Sequence, residues 1–280
     1  MKRIGLHRNT LDKFYTNKDI ADLCITWIKE HVEICHKDII VEPSAGGGVF
    51  IDSLLALSEH CYFYDIEPED SRIEKRDYLS MNITEFSSNR SKRPPYNIHV
   101  IGNPPFGRQS STASQFIKKS CEYADMVAFI LPKSFKKESM QKAFPLNFHM
   151  IFEHDLPHNS FNIQGTQHNV ETVFQIWVKR PGKRELAEKI DPMGFEFVNK
   201  ESGLAEISIR RVGVNAGKID RDTEKSVQSH YFIRFTNGKS LDENIEHLVT
   251  DLSFEHNNTV GPRSISKQEL IIKMNAILGI

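Results

Sequence analysis

Apolar residues along this chain fall into two kinds of run that alternate. Ile20, Leu23, Cys24, Trp27, Ile28 and Val32 recur at helical spacing and predict a helix over 19–32. Short unbroken apolar runs then occupy 39–41, 61–64, 97–102, 126–131, 149–152 and 172–178. Such runs read as strands buried on both faces. Between them, Phe50, Leu54, Leu55 and Leu57 predict a helix over 49–58, and another is predicted over 116–123. Alternation of this kind predicts an α/β fold: a doubly wound, mostly parallel sheet with helices on both faces.

The pattern changes after Trp177. Lys179-Arg180-Pro181-Gly182-Lys183-Arg184 is a charged, turn-forming boundary. Beyond it, 205–212 and 230–235 alternate apolar and polar positions, as half-exposed strands do. A last helix is predicted over 266–277, with Ser266 as its cap and Glu269 in the reciprocal box position. The chain therefore divides into an α/β catalytic domain over 1–184 and a small α+β appendage over 185–280.

Composition narrows this picture little. A chain of 280 residues, 39% hydrophobic and 26% charged, is of ordinary globular make-up. A net charge of −1 excludes a strongly basic nucleic-acid binder, so any such surface is a local patch. Cys24, Cys35, Cys61 and Cys121 lack metal-ligand spacing and suit reduced thiols, which predicts a cytoplasmic or other reducing compartment. No apolar run is long enough to span a membrane, and the basic start Met1 to Arg8 lacks the apolar core of a signal peptide. Nothing in the pattern sets an oligomeric state.

The candidate chemistry lies at strand ends. Asn103-Pro104-Pro105-Phe106 closes the 97–102 strand, which the two prolines stop because neither can donate a ladder hydrogen bond. The Asn103 side-chain oxygen and the Pro104 carbonyl are two acceptors, enough to grip both hydrogens of a planar amino group. The Phe106 ring can stack on the flat group that carries it. After the 39–41 strand, Glu42-Pro43-Ser44-Ala45-Gly46-Gly47-Gly48 lets a ligand approach the backbone closely, without the Gly-Lys-Ser/Thr of a phosphate loop. Asp65 closes the next strand where an acid can hold a ribose, with Glu67 as a weaker candidate. Asp77-Tyr78 lies where a carboxylate can accept from an adenine amino group.

In their order, these motifs resemble the S-adenosylmethionine-dependent adenine-N6 methyltransferases that carry Asn-Pro-Pro-Phe, the gamma class of DNA enzymes in particular. The resemblance covers about residues 10 to 180. It implies a seven-stranded Rossmann-like methyltransferase sheet, with S-adenosyl-L-methionine as cofactor and no metal. Asp12 to Thr16 resembles the motif that packs over the methionine end, so Phe14, Tyr15 and Thr16 are implied in cofactor binding. So are Glu42, Ser44, Ala45, Gly46, Gly48, Asp65, Asp77, Tyr78 and Asn103. Asn103 to Phe106 matches the catalytic motif.

The implied reaction is methyl transfer to the N6 amine of adenine in a flipped-out base of DNA. Phe106 would form one wall of the base pocket and Phe161 the other, while Arg108 and Lys133 would contact the substrate. The basic residues Lys136, Lys137, Arg210, Arg211 and Lys218 could track phosphates. In that class the C-terminal part recognises the target. RNA adenine methylation is the alternative; protein glutamine methylation and a catalytically dead binding module are further ones.

Overall fold

The structure is a computed structural model that describes residues 14–82, 96–107, 110–163, 166–168, 170–186, 188–254 and 264–278. These fall into two compact units, 1–185 and 186–280.

The first unit is built on seven strands: β2 (Ile39–Glu42), β3 (His60–Asp65), β4 (Glu74–Lys75), β5 (Ile98–Gly102), β6 (Met126–Pro132), β7 (Phe148–Asp155) and β10 (Thr172–Lys179). Their order across the sheet is β4-β3-β2-β5-β6-β10-β7. The strands β4, β3, β2, β5 and β6 are mutually parallel, and β10 runs antiparallel to both its neighbours. This is the expected mostly parallel, Rossmann-like sheet. Alternate side chains feed two cores. Val127, Phe129 and Leu131 of β6 point to one face, Met126, Ala128 and Ile130 to the other. One face is covered by α1 (Lys18–His31) and α2 (Ile51–Leu55), the other by α3 (Ser111–Cys121). A short α4 (Glu138–Gln141) follows β6, and a small sheet joins β1 (Tyr15–Thr16) to the hairpin β8 (Phe161–Ile163) and β9 (Thr166–His168).

Helix bounds differ from the sequence expectation in two places. The helix predicted over 49–58 is confined to Ile51–Leu55. Gly46 and Gly48 have φ of 52° and 79°, so the chain first makes tight turns. At the other end the buried Ser58 hydroxyl donates to the carbonyls of His36 and Asp38, drawing the chain into β3. The helix predicted over 116–123 starts earlier, at Ser111. Its first turn, Ser111 to Ser114, has Ala113 as its single apolar residue and so carries no apolar period to betray it. The polar run that follows Gly107 is helix from Ser111 onward.

At the amino edge of the sheet Asp38 ties two strands together. It is 1% exposed and accepts from the backbone of Cys35 and Asn97 and from His99 Nε2, at 2.9–3.0 Å.

The second unit is a four-stranded antiparallel sheet in the order β11-β14-β12-β13. Its strands are β11 (Phe195–Phe197), β12 (Ile207–Arg210), β13 (Ile219–Asp220) and β14 (His230–Phe235). One face packs on α5 (Leu241–Asp251) and α6 (Lys267–Leu278), through Ile207, Ile209, Ile233, Leu248, Leu270 and Met274. The box expected for the last helix is formed: Ser266 N–H donates to the Glu269 carboxylate and Glu269 N–H to Ser266 Oγ. α5 was not expected from the sequence, although Ser240 and Glu243 cap it in the same way.

Candidate active site

Because β2, β3 and β5 are parallel neighbours, their carboxyl ends share one edge, and the chain reverses its direction of travel across the sheet there. Ligands of open α/β sheets sit outside such a switch point. A cavity of about 540 Å³ opens at that edge, well within the roughly 300–1,000 Å³ usual for small-molecule sites. Residues far apart in sequence meet on its walls: Phe14, Tyr15 and Thr16 from the amino-terminal segment, Glu42 and the Ser44–Gly47 turn, Asp65, Asp77, Tyr78, and Asn103 with Pro105. Gly48 sits just behind the wall. A Cβ there would lie 2.7 Å from Ile51 Cδ1, and its φ is +79°, so glycine is needed for the turn itself.

The acids are held differently. Asp65 accepts Gly46 N–H and Glu67 N–H, each at 2.8 Å, and thereby fixes the glycine turn. Asp77 accepts from Leu79 N–H at 3.0 Å, capping the turn Tyr78–Ser80. Glu42 is buried, and its Oε2 has no hydrogen-bond partner. Burial, and then the charge of Asp65, push its carboxyl pKa up to about 8. The Tyr78 hydroxyl bonds to Ser120 Oγ at 2.8 Å and Tyr123 OH at 2.7 Å, and its ring stacks on Phe116. Tyr15 lies over Gly46 and Gly47, and its hydroxyl donates to Glu69.

Asn103 is the most constrained group in the cavity. Ser44 Oγ donates to its carbonyl at 3.1 Å. Its Nδ2 donates to the Phe14 carbonyl at 3.1 Å and to Thr16 Oγ1 at 3.0 Å. A carbonyl can only accept, so the amide has a single orientation. Oδ1 is thereby left buried with no partner. Among the described residues only Glu42 Oε2 and His99 Nδ1 share that condition, and His99 lies at the amino end of β5, tied to Asp38 at the opposite edge. An orphaned buried acceptor costs about 1–3 kcal/mol. Two of them beside one cavity mark acceptors that a ligand can satisfy.

Several expected substrate contacts are placed otherwise. Phe106 is 4% exposed, its ring stacked on Phe14 at 5.7 Å, so Phe14 faces the cavity and Phe106 lies behind it. Phe161 is fully buried, edge-on to Phe14 in the core, and forms no opposite wall. Its neighbour Asn162 pairs with Tyr15 across β1 and β8, and Phe161 with Thr16, which turns the ring inward. Lys133 is engaged by Asp155 at 3.0 Å and Glu171 at 3.2 Å, a pairing that raises its pKa and leaves it no free charge for a phosphate. Lys136 is bound to Asp155 in the same network. Pro104 follows Asn103 in the turn. Arg108, with Asp12 and Lys13, lies outside the described residues. Phe50, Thr112 and Phe116 line the cavity without having been expected. Phe50 follows the glycine motif directly and was legible there; Phe116 lies in the helix predicted over 116–123, and Thr112 in the first turn of α3, which had no sequence signal.

The residues present fit S-adenosylmethionine. Carboxylates at the ends of β2 and β3 can receive an ammonium and ribose hydroxyls. The glycine turn admits a close backbone approach, and Tyr78, Leu79 and Phe116 offer a flat apolar wall. The sheet, with its antiparallel β10 inserted beside β7, has the class I fold of S-adenosylmethionine-dependent methyltransferases, whose cofactor that is.

Comparison with curated proteins gives no match. Among solved structures, a candidate RNA methyltransferase from Pyrococcus horikoshii is similar at 17% identity and a TM-score of 0.45, over 63% of this chain and 93% of that one. A candidate class I S-adenosylmethionine-dependent methyltransferase from Listeria monocytogenes is similar at 14% identity and 0.45, over 65% and 66% of the two chains. A dimethyladenosine transferase from Plasmodium falciparum gives 15% and 0.40, over 60% and 64%. The family match is of another order: a model of the EDM2 methyltransferase-like domain covers residues 36–191. That span runs from the start of the first sheet strand past the last and takes in Glu42, Asp65, Asp77 and Asn103, so the chain belongs to the EDM2 methyltransferase-like domain family.

Proposed function

We propose that this chain transfers a methyl group to the exocyclic N6 amine of adenine in DNA. One observation carries the reading: Asn103, a residue of the cavity wall, has a buried, unpartnered Oδ1 while both hydrogens of its amide are committed elsewhere. Such an atom is suited to accept a hydrogen from an amine. The Pro104 carbonyl would accept the second. Together they hold the nitrogen and draw electron density onto it, countering its conjugation with the ring.

S-adenosylmethionine, when bound, supplies a methyl group activated by a sulfonium. Glu42 would hold the cofactor's ammonium, Asp65 its ribose hydroxyls and Asp77 its adenine amine. Ser44, Ala45 and Gly46 would let it lie against the backbone, with Tyr15 and Thr16 over the opposite side. Positioning and hydrogen bonding carry the catalysis, and the proton can leave after transfer, so no strong base is required. A paired base must be extruded to reach this edge. Phe14, which lines the cavity in front of Phe106, is the aromatic placed to meet it.

The test is incubation with methyl-labelled cofactor and equimolar pools of duplex DNA and of RNA, followed by digestion and nucleoside mass spectrometry. The reading expects label in N6-methyldeoxyadenosine. Label only in N6-methyladenosine from RNA would replace DNA by RNA. Label in cytosine, or in a protein glutamine, would overturn the assignment of the amine.

A further inference from the structure

The cations of the second unit divide into two groups. Among the described residues four are neutralised by a carboxylate, Lys200 by Glu224, Arg221 by Asp242, Lys225 by Asp220 and Asp222, and Arg234 by Glu196, whereas Lys189, Lys239, Lys267 and Lys273 have no such pair. Arg210, Arg211 and Lys218 also lack one among the described residues, although Asp220 is only two positions from Lys218. These three share one feature, the turn that joins β12 to β13.

That turn is built rather than loose. Gly217 N–H donates to the Arg210 carbonyl at 2.7 Å, Ala216 N–H to Gly213 at 3.0 Å and Lys218 N–H to Asn215 at 3.0 Å. Gly213 and Gly217 have φ of +92° and +96°, which the turn requires. A Cβ on Gly217 would lie 2.8 Å from the Phe254 ring, and Ala216 is buried, so the base of the turn is seated on the core. Arg211 N–H donates to Ser229, and Ile265 N–H to the Arg211 carbonyl, which brace one flank. Arg210 Nε donates to the Val212 carbonyl at 3.0 Å, inside the turn. The Arg211 guanidinium lies over the Tyr231 ring, 5.3 Å from its centroid. At the tip Val214 is 93% exposed.

We infer that the 210–218 turn is a docking element for the phosphodiester backbone of nucleic acid, with Arg211 and Lys218 on phosphates and Val214 entering the groove between them. The chain carries no surplus of positive charge, at −1 overall, so unneutralised cations on a rigid protrusion are a local provision. An apolar tip flanked by cations suits a nucleic-acid groove, where apolar wedges meet base steps while cations hold the backbone. An acidic peptide would use the charges but would leave the fixed turn and the exposed valine without a role. This rests on the reading that the substrate is a nucleic acid, and it refines which part of the chain grips it.

The test uses the full chain and fluorescence anisotropy with a labelled 20-base-pair DNA duplex and the matching RNA duplex, across a salt series and without cofactor. Arg210 is left alone, because it holds the turn. R211Q/K218Q should weaken binding about tenfold or more at low salt. For duplex DNA it should lower the slope of log K against log salt by about 2, since each phosphate contact contributes roughly 0.9. V214S should weaken binding at an unchanged slope. S-adenosylhomocysteine affinity and melting temperature should stay as in the wild type. Unchanged affinity and slope in R211Q/K218Q overturn the proposal. So does an acidic peptide, poly-glutamate as probe, that binds the wild type as tightly as DNA and is lost in the variant. The two readings fail separately: methyl transfer to nucleic acid with no loss in R211Q/K218Q sinks only the turn, and turn-dependent binding without any transfer sinks only the reaction.

Discussion

Replacing Thr16 by valine removes one oxygen and keeps the shape of the side chain. Thr16 Oγ1 takes one of the two Nδ2 hydrogens of Asn103, at 3.0 Å, and Thr16 is 8% exposed, so water is a poor substitute. In T16V that hydrogen is left unpaired, at a cost of about 1–3 kcal/mol. The Phe14 carbonyl still accepts the other hydrogen, so the amide keeps its sense of orientation but loses half of its anchorage. If Asn103 Oδ1 must hold its place in the transition state, the same 1–3 kcal/mol appears there as roughly a 5- to 150-fold fall in kcat. The KM for nucleic acid should stay within about threefold, because positioning of the acceptor is what is lost. T16S keeps an oxygen at that position and should recover most of the activity. The assay is steady-state methyl transfer by the wild type, T16V and T16S, with S-adenosylhomocysteine affinity measured alongside by calorimetry. Wild-type kcat in T16V would refute the anchoring of Asn103, and a loss confined to cofactor affinity would place Thr16 in binding only.

Three more expectations follow from other parts of the first unit. Glu42 has a folded-state pKa near 8 against an ordinary value near 4.5, so the folded protein binds its proton more tightly than the unfolded chain. The wild type should lose stability relative to E42Q as pH rises from about 4.5 to about 8, by several kcal/mol at the upper end, on the order of 4; urea melts at pH 5 and pH 8.5 measure it, and equal differences at the two values would contradict the burial argument. Y78F removes the shared hydroxyl from Ser120 and Tyr123 and should lower stability by about 1–3 kcal/mol, read as a lower melting temperature with little change in cofactor affinity. D38A strips three donors, including His99, of their acceptor at the far edge of the sheet and should destabilise by about 3–5 kcal/mol; a melting temperature equal to the wild type would show that edge to be unimportant.

The sheet and most of the site were legible because their signals are local. Unbroken runs such as Met126 to Leu131 are buried whatever packs on them, and Glu42, Asp65 and Asn103 each stand at the end of such a run. What was not legible depends on partners far away in sequence. Phe106 and Phe161 look alike to any local reading, as aromatic rings beside polar residues. Only the approach of Phe14, from the other end of the chain, buries both, Phe106 stacked on it and Phe161 edge-on. Lys133 looked free until Asp155 and Glu171, on other elements, met it. The start of α3 went unseen because helix 111–121 buries its apolar residues only from Ala113 on, and α5 because its capping box precedes a weakly apolar stretch. The anchoring of the Asn103 amide by Phe14 and Thr16 spans 89 and 87 positions and leaves no trace in the sequence.

The claim on which the rest depends is that Asn103 Oδ1 receives a hydrogen of the amine that is methylated. It is tested most directly by single-turnover methyl transfer with saturating cofactor, comparing the wild type with N103A at equal cofactor occupancy. The account predicts a fall of at least a hundredfold in the rate of N6-methyladenine formation, with S-adenosylhomocysteine bound as tightly as before. Transfer at an undiminished rate in N103A would contradict it.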